Sequence, residues 1–200
     1  DAGSAGHTFN LTGTYSWLTG ANAWLGAASL QLGSNGYATT GLDTPDIQIN
    51  EIACVDMWIK RDPSAAEGTL YRDDRDRIIV HMWPGGICRG YFQDYNHYAS
   101  VVIPDAEWHH VRYTKAVSGA CSAYLDGVLG AEGTSAGATQ VWARYLTLGR
   151  YPGGGYYWNA AVDQVRVSTV DRTDAHGRYK GGGYAVLTKT AASAPRQVNA

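Results

Sequence analysis

The sequence predicts an all-β fold, a sandwich of antiparallel sheets, and three observations support this prediction. Helical periodicity is almost absent along the 200 residues. Short runs of alternating apolar and polar residues recur instead, and Gly, Asp, Asn or Pro bounds them. Hydrophobic residues make up 44% of the chain, enough for a buried core within one domain. Many short strands joined by turns favour two packed sheets.

The alternating runs place the strands along the middle of the chain. The clearest hairpin signal is Asp126-Gly127, which stands between two apolar pairs. A type I′ turn needs positive φ at both central residues, and Asp-Gly supplies them readily. We therefore expect a tight hairpin there. The predicted strands cover residues 28–32, 37–39, 51–60, 68–72, 78–83, 88–93, 99–103, 108–116, 122–125, 145–148 and 161–168.

The two ends differ in composition from the middle. Residues 1–23 are rich in Gly, Ala, Ser and Thr and are predicted to form an N-terminal arm, and residues 181–200 a polar C-terminal tail. The predicted domain covers residues 24–180. Charged residues make up only 17% of the chain, which leaves neutral surface for contacts with neighbouring subunits. These ends and this surface favour a homo-oligomer or a multi-protein assembly.

Charge and cysteine content exclude several functions. A net charge of −2 gives no basic surface for a nucleic-acid backbone. No apolar stretch approaches the ~20 residues that cross a bilayer, so we expect no membrane insertion. Cys54, Cys88 and Cys121 are far apart and odd in number. We predict buried free thiols, with one disulfide and a spare thiol as the alternative.

Several segments, taken in order, resemble a known family. They are residues 28–32 followed by Tyr37, then 55–60 (VDMWIK), 108–111 (WHHV), 124–127 (YLDG), 146–149 (LTLG) and 162–167 (VDQVRV). Their order and spacing, over residues 24–170, are similar to the laminin G-like branch of the concanavalin A-like lectin/glucanase superfamily. The resemblance implies a jelly-roll of two curved antiparallel sheets that binds sugars or protein partners, sometimes with calcium. The sequence departs from the family at Gln164, where an acidic residue is usual.

Carboxylate spacing argues against an enzyme. Retaining glycosidases need two carboxyl groups about 5 Å apart. Glu51, Glu67, Glu107 and Glu132 are not paired at strand spacing, and His109 and His110 are adjacent on a strand and so face opposite ways. The cluster of aspartates at 73–76 alternates with arginines, which is typical of an exposed rim of salt bridges.

Aromatic residues favour binding instead. The chain has 14 Tyr and 7 Trp against 2 Phe, so rings with a polar group dominate. Aromatic faces and a few polar groups together are typical of sugar sites. Two segments supply this mixture. The first holds His81, Trp83, Arg89, Tyr91, Gln93 and the turn 94–98; the second holds Tyr151, Tyr156, Tyr157, Trp158 and Asn159 around a triple glycine.

These segments give the candidate site residues. Three consecutive rings in a loop, 156–158, are expected to be exposed. Asp163 is expected to share a face with Val165 and Val167, so it needs a hydrogen-bonding or metal partner if buried. With backbone carbonyls, and Asp43 or Asp46, it is the candidate calcium ligand. The candidate carbohydrate-binding residues are Trp83, Arg89, Tyr91, Tyr95, His97, Tyr156, Tyr157, Trp158 and Asn159.

The sequence therefore predicts a non-catalytic, lectin-like recognition or adhesion domain. It binds glycans or other cell-surface components and acts outside the cell or on the surface of a particle such as a virion. The alternative is a structural or decoration subunit of a virion, phage appendage or surface filament, in contact with protein neighbours.

Overall fold

The computed structural model describes residues 9–24, 28–40, 47–49, 53–64, 67–73, 78–92, 95–116, 118–134, 141–143, 146–151 and 155–168. Among them no helix is long and apolar enough to span a membrane.

Two short 3-10 turns occur, Gly20–Asn22 and Pro84–Gly86. The strands are β1 Phe9–Thr12, β2 Tyr15–Thr19, β3 Ala28–Leu32, β4 Tyr37–Thr40, β5 Ile47–Ile49, β6 Ala53–Arg61, β7 Gly68–Asp73, β8 Ile78–Met82, β9 Ile87–Phe92, β10 Tyr98–Val102, β11 Trp108–Lys115, β12 Ala120–Leu125, β13 Val128–Leu129, β14 Gly133–Thr134, β15 Val141–Ala143, β16 Leu146–Leu148 and β17 Ala160–Ser168.

The strands form two large antiparallel sheets. The seven-stranded sheet has the order β1-β4-β16-β7-β8-β9-β10. The eight-stranded sheet has the order β13-β12-β11-β6-β17-β3-β2, and β14 pairs with β12. Strands β5 and β15 pair separately. Neighbours distant in sequence, such as β6 and β17, lie at the centre of a sheet, as a jelly-roll of two sheets requires.

The hydrophobic core lies between the two sheets. On β6, Val55, Met57 and Ile59 point into it, in keeping with the two-residue period of a strand. On β11, Val111 and Tyr113 do the same. A Cβ on Gly90 of β9 would collide with the ring of Tyr113, so glycine leaves the space in which that ring packs between the sheets.

The outer face of the eight-stranded sheet holds a buried ion pair. Asp56, which is 0% exposed, is the cross-strand partner of both Arg112 and Arg166. The Nε of Arg166 donates to Oδ2 of Asp56 at 3.1 Å, and Nε2 of His110 lies 3.6 Å from Oδ1. The guanidinium of Arg112 lies 4.0 Å from the ring centroid of Tyr124. This face is therefore a closed layer of paired charges and rings.

A β-bulge interrupts β17 and corrects one prediction. The register of β17 against β6 shifts after Asp163, and Gln164 has a positive φ of 51°. Asp163 consequently lies opposite Trp58, whose side chain is outside the core cluster, while Val165 and Val167 pack into or against the core. The expectation that these three residues share one face is wrong, because the extra residue of a bulge breaks the two-residue period.

The main features of the predicted fold are confirmed. The predicted strands that fall on described residues all form, with ends that differ by a few residues at most. Asp126 and Gly127 have φ values of 50° and 83°, as a type I′ turn requires. The three cysteines are free and buried, so the disulfide alternative does not hold.

Strands β1 and β2 lie in the segment assigned to an N-terminal arm. Strand β1 pairs with β4 in the seven-stranded sheet, and Phe9 is buried in the core. Strand β2 pairs with β3 at the edge of the other sheet. Much of the predicted arm is thus part of the sandwich. Residues 1–8 and the predicted tail, 181–200, lie outside the described residues, and the domain boundaries stay a prediction.

Candidate carbohydrate-binding site

The outer face of the seven-stranded sheet carries aromatic and arginine side chains in adjacent rows. In one row Ile79, Tyr91 and Tyr98 are successive cross-strand partners on β8, β9 and β10. In the next row His81 is opposite Arg89. Cross-strand partners lie on the same face of a sheet, and the residues that alternate with these enter the core. The rows therefore place rings and a guanidinium side by side.

One line of rings runs from β8 to the loop before β17. The ring centroid of His81 lies 5.1 Å from that of Trp83 and 5.8 Å from that of Tyr156. Tyr156 in turn is 6.1 Å from Tyr151. All three pairs meet edge to face, which is a favourable geometry for aromatic rings.

A second line of rings lies on β9 and β10 and joins the first. The Tyr91 ring is 5.4 Å from Tyr95 and 5.6 Å from Tyr98. The hydroxyl of Tyr95 donates to that of Tyr151 at 3.3 Å, and the Nε1 of Trp83 donates to the hydroxyl of Tyr91 at 2.8 Å. Both lines thus form one continuous patch. We call it the ring surface; it consists of His81, Trp83, Tyr91, Tyr95, Tyr98, Tyr151 and Tyr156.

Arginines are embedded in the ring surface. The guanidinium of Arg72 lies 4.1 Å from the ring centroid of Tyr151. That of Arg89 lies 4.4 Å from Tyr98 and 5.5 Å from Trp83. These are cation–π distances, and they hold planar donor groups beside the rings.

The ring surface has accessible rings above a buried layer. Trp83 is 37% exposed, Tyr95 50% and Tyr156 51%. His81 and Tyr91 are buried beneath them. The buried members pack against the exposed ones, and aromatic faces are presented to solvent. Accessible rings with a few polar groups are the arrangement that stacks on sugars.

Burial decides the protonation of this site. It lowers the pKa of His81 to about 4, so His81 is neutral at neutral pH; its Nδ1 lies 3.1 Å from Oγ1 of Thr69. Burial, followed by the hydrogen bond to Tyr151, raises the pKa of Tyr95, so its hydroxyl stays protonated. The site therefore offers the neutral hydroxyl of Tyr95 to a ligand, above a neutral, buried imidazole.

Five predicted site residues come together on this face. Trp83, Arg89, Tyr91 and Tyr95 come from the first predicted segment and Tyr156 from the second. The two segments, separated by some 60 residues of sequence, therefore belong to one surface. Tyr91 is buried, so it supports Trp83 through its hydroxyl rather than presenting its own face.

Trp158 does not belong to this exposed surface. The expectation of three exposed consecutive rings is wrong, because Trp158 is only 2% exposed and packs in the core. Its backbone N–H donates to the carbonyl of Gly149 at 2.9 Å. A Cβ on Gly68 would lie 2.8 Å from the Cα of Trp158, so this glycine lets the segment approach β7 closely.

The remaining predicted residues lie beside or away from the ring surface. His97 and Tyr157 are half-buried, and the carbonyl of His97 accepts the N–H of Phe92 in the turn between β9 and β10. Asn159 donates from Nδ2 to Oδ2 of Asp62 at 3.1 Å. Because that contact fixes it near the end of β6, Asn159 is not brought to the rings described above.

Four members of this region were not among the predicted site residues. They are Arg72, His81, Tyr98 and Tyr151. Tyr98 is the cross-strand partner of Tyr91. The two-residue period of the β9–β10 hairpin could therefore have placed the Tyr98 side chain on the same face. Arg72 was assigned to a rim of salt bridges, and only the proximity of Tyr151 in space reveals its place.

The candidate calcium ligand is engaged in hydrogen bonds. Oδ2 of Asp163 accepts the hydroxyl of Ser29 at 2.7 Å, and Oδ1 accepts the backbone N–H of Gln164 at 2.7 Å. Asp163 is buried and has the hydrogen-bonding partner that the sequence analysis expected for a buried carboxylate. In the described part of the chain, no cluster of three or more His, Cys, Asp or Glu side chains could hold a metal. Asp43 and Asp46 lie outside it. The role of Asp163 as a calcium ligand stays a prediction.

The chain belongs to the concanavalin A-like lectin/glucanases superfamily. Residues 32–176, well over half of the chain, match the laminin G type of this family. The fold, two antiparallel sheets in a jelly-roll, agrees with that membership. No curated protein matches the chain in sequence.

Solved structures share the fold at low sequence identity. The receptor binding domain of botulinum neurotoxin mosaic serotype C/D is 15% identical over 84% of this chain and 44% of that chain, with a TM-score of 0.59. The serotype G binding domain is 11% identical over 86% and 45%, with a TM-score of 0.63. Domain 4 of an extracellular arabinanase from Geobacillus stearothermophilus, in complex with arabinotriose, is 16% identical over 80% and 81%, with a TM-score of 0.56. This chain thus spans under half of the neurotoxin chains.

Proposed function

We propose that the protein is a non-catalytic, lectin-like domain that binds glycans through the ring surface. The observation that carries the proposal is the continuity of the rings from Trp83 to Tyr156 across β8, β9, β10 and the loops beside them. Exposed faces of Trp83, Tyr95 and Tyr156 supply stacking area, and Arg89 supplies hydrogen-bond donors. Preordered rings lose little side-chain entropy when a ligand binds, which favours affinity.

Binding rather than hydrolysis is supported by the state of two buried carboxylates. Asp56 is paired with Arg166, and Asp163 with Ser29, and both are buried. Neither can reach a substrate in solvent as the pair of carboxyl groups of a glycosidase does. Glu67, near His81 at 4.0 Å, stands without a described second carboxylate beside it.

The structural neighbours are consistent with a glycan ligand and a surface location. One of them holds arabinotriose and comes from an extracellular enzyme, and another is a receptor binding domain. We propose by analogy that this domain, too, recognises glycans outside the cell or on a particle surface.

A glycan array followed by calorimetric titration tests the proposal. Trp83→Ala removes an exposed stacking face and should weaken binding of an array hit at least about tenfold, which corresponds to about 1.4 kcal/mol. The matched control is Tyr15→Ala, which removes an exposed ring on β2 of the other sheet. It should bind as the wild type does. Absence of binding to any glycan, or equal loss in both variants, would refute the proposal.

The alternative function, a subunit of a virion, phage appendage or surface filament, draws mainly on the terminal segments. Residues 1–8 and 169–200 lie outside the described residues, so this function stays a prediction. Removal of residues 185–200 should then abolish assembly while the sandwich stays folded, as sedimentation and circular dichroism would report.

A further inference from the structure

Two arginines bring positive charge to the ring surface. Arg72 lies over the ring of Tyr151, and Arg89 lies over that of Tyr98. The chain as a whole has a net charge of −2, so this concentration of arginine is local. Among the described residues, no carboxylate forms an ion pair with Arg89. Glu67 approaches this region, and its contact is with His81.

Arg166 and Arg89 lie on different sheets and differ in their partners. On the outer face of the eight-stranded sheet, Arg166 donates to Asp56 at 3.1 Å and its charge is neutralised. On the ring surface, Arg89 has rings for neighbours, and its Nε–H is buried without an acceptor in the described structure. A guanidinium that is partly desolvated and unpaired is costly for the free protein. An anionic ligand group beside the guanidinium would offset its charge, although the buried Nε–H itself stays out of reach.

The geometry of Arg89 suits an anionic group that has two acceptor oxygens. It is the cross-strand partner of His81 and Ser100, on the strand next to the edge strand β10. Its contacts with Tyr98 and Trp83 restrict the side chain, so less entropy is lost when its N–H groups bind an acceptor. Carboxylate and sulfate oxygens match the paired donors of a guanidinium. A neutral sugar stacked on Trp83 gains no such ionic contact.

We infer that the ring surface selects acidic saccharides, and that Arg89 binds their carboxylate or sulfate group. The inference rests on the proposed function and specifies its ligand class. Rings bind the sugar faces, and the arginine distinguishes an acidic glycan from its neutral counterpart. Because the anion is held beside aromatic rings and not in bulk water, part of this preference persists at physiological ionic strength.

The test uses an array that contains neutral glycans together with their uronic acid, sialylated and sulfated counterparts. Each acidic hit and its neutral counterpart are then titrated by calorimetry with the whole chain. We expect the acidic member to bind at least about tenfold more tightly, as a charge-assisted contact allows. Comparison of the carboxylated and sulfated hits identifies which anion is preferred.

Arg89→Gln should reduce the affinity for the acidic glycan to that for the neutral one and leave neutral binding within about threefold of wild type. Arg89→Lys keeps the charge and loses the paired donors, so its affinity should lie between. The matched control is Arg61→Gln, which makes the same change in net charge at the end of β6. It should keep the preference.

The outcomes separate the two proposals. Equal binding of acidic and neutral glycans, or a preference that survives Arg89→Gln, overturns the inference and leaves glycan binding intact. A preference lost equally in Arg61→Gln also overturns it, since net charge and not Arg89 would be responsible. Absence of any array hit refutes the proposed function itself, and the inference with it.

Discussion

The outer faces of the two sheets both carry arginines and aromatic rings, but these side chains have different contacts. The eight-stranded sheet buries Asp56 and Arg166 in contact with each other. The seven-stranded sheet leaves Arg89 among rings, and Trp83 and Tyr156 are open to solvent. One face satisfies its charges internally, whereas the other leaves donors and apolar faces available.

This difference separates a structural layer from a binding surface. Removal of one partner of a buried ion pair strongly destabilises the folded protein, because the remaining charge is shielded from water and no longer has its counterion. An exposed ring or a partly exposed arginine contributes far less to the stability of the fold. It contributes to binding free energy when a ligand covers it. Stability should therefore respond to changes on one face and ligand binding to changes on the other.

The largest effect on stability is expected at Asp56. Asp56→Ala removes the carboxylate to which the buried Arg166 donates and should lower the free energy of unfolding by about 3–5 kcal/mol. Arg89→Ala on the ring surface should lower it by only about 1 kcal/mol, the loss of its cation–π contacts. Chemical denaturation of both variants measures the difference. Equal destabilisation would mean that the ring surface, too, is a structural layer.

The second effect is a pH dependence at His81. Because burial lowers its pKa to about 4, the unfolded chain binds a proton between pH 6.5 and 4 that the folded protein does not. Stability should therefore fall as the pH falls through this window, by up to about 1.4 kcal/mol per pH unit. His81→Gln should remove this contribution in denaturation curves from pH 7 to 4. An unchanged pH dependence in the variant would contradict the buried, neutral state of His81.

His109 on the other sheet should show a smaller dependence of opposite sign. Burial acts to lower its pKa, but hydrogen bonds to Asp126 at 2.7 Å and Asp105 at 2.9 Å outweigh it, so the pKa is raised. Its stabilisation is present below pH 6.5 and is lost as the pH rises through the folded pKa. Since the site is half-exposed, we expect less than about 1 kcal/mol. His109→Gln should flatten the decline above pH 6.5, and a steeper decline would refute the assignment.

The fold was largely predictable because its signals are local. Alternation of apolar residues locates strands, and Asp126-Gly127 fixes a hairpin, each from a few adjacent residues. The bulge at Gln164 was not predictable, since the extra residue is visible only against the register of β6. Strand β1, in a segment rich in small and polar residues, depends on Phe9 entering a core made by distant strands.

The site was only partly predictable because it depends on long-range contacts. The sequence identifies Trp83 and Tyr156 as candidates within separate segments but contains no sign that His81 brings them together. It also presents Trp158 as a third exposed ring, since a loop position gives no information about burial. Gly68, 90 residues earlier, provides the close approach that accompanies the burial of Trp158.

The smallest change in stability is expected at Tyr156, where the two roles can be separated. Tyr156 has a φ of 49°, which is unfavourable for a bulky residue, yet its ring is 51% exposed. Tyr156→Asn tolerates this backbone conformation better and loses the ring contacts with His81 and Tyr151, so the two effects should cancel to within about 1 kcal/mol. Glycan affinity should nevertheless fall severalfold. Denaturation and titration of the same variant provide both values. Unchanged affinity would exclude Tyr156 from the binding surface. The unfavourable φ of Tyr156 would then need a structural explanation.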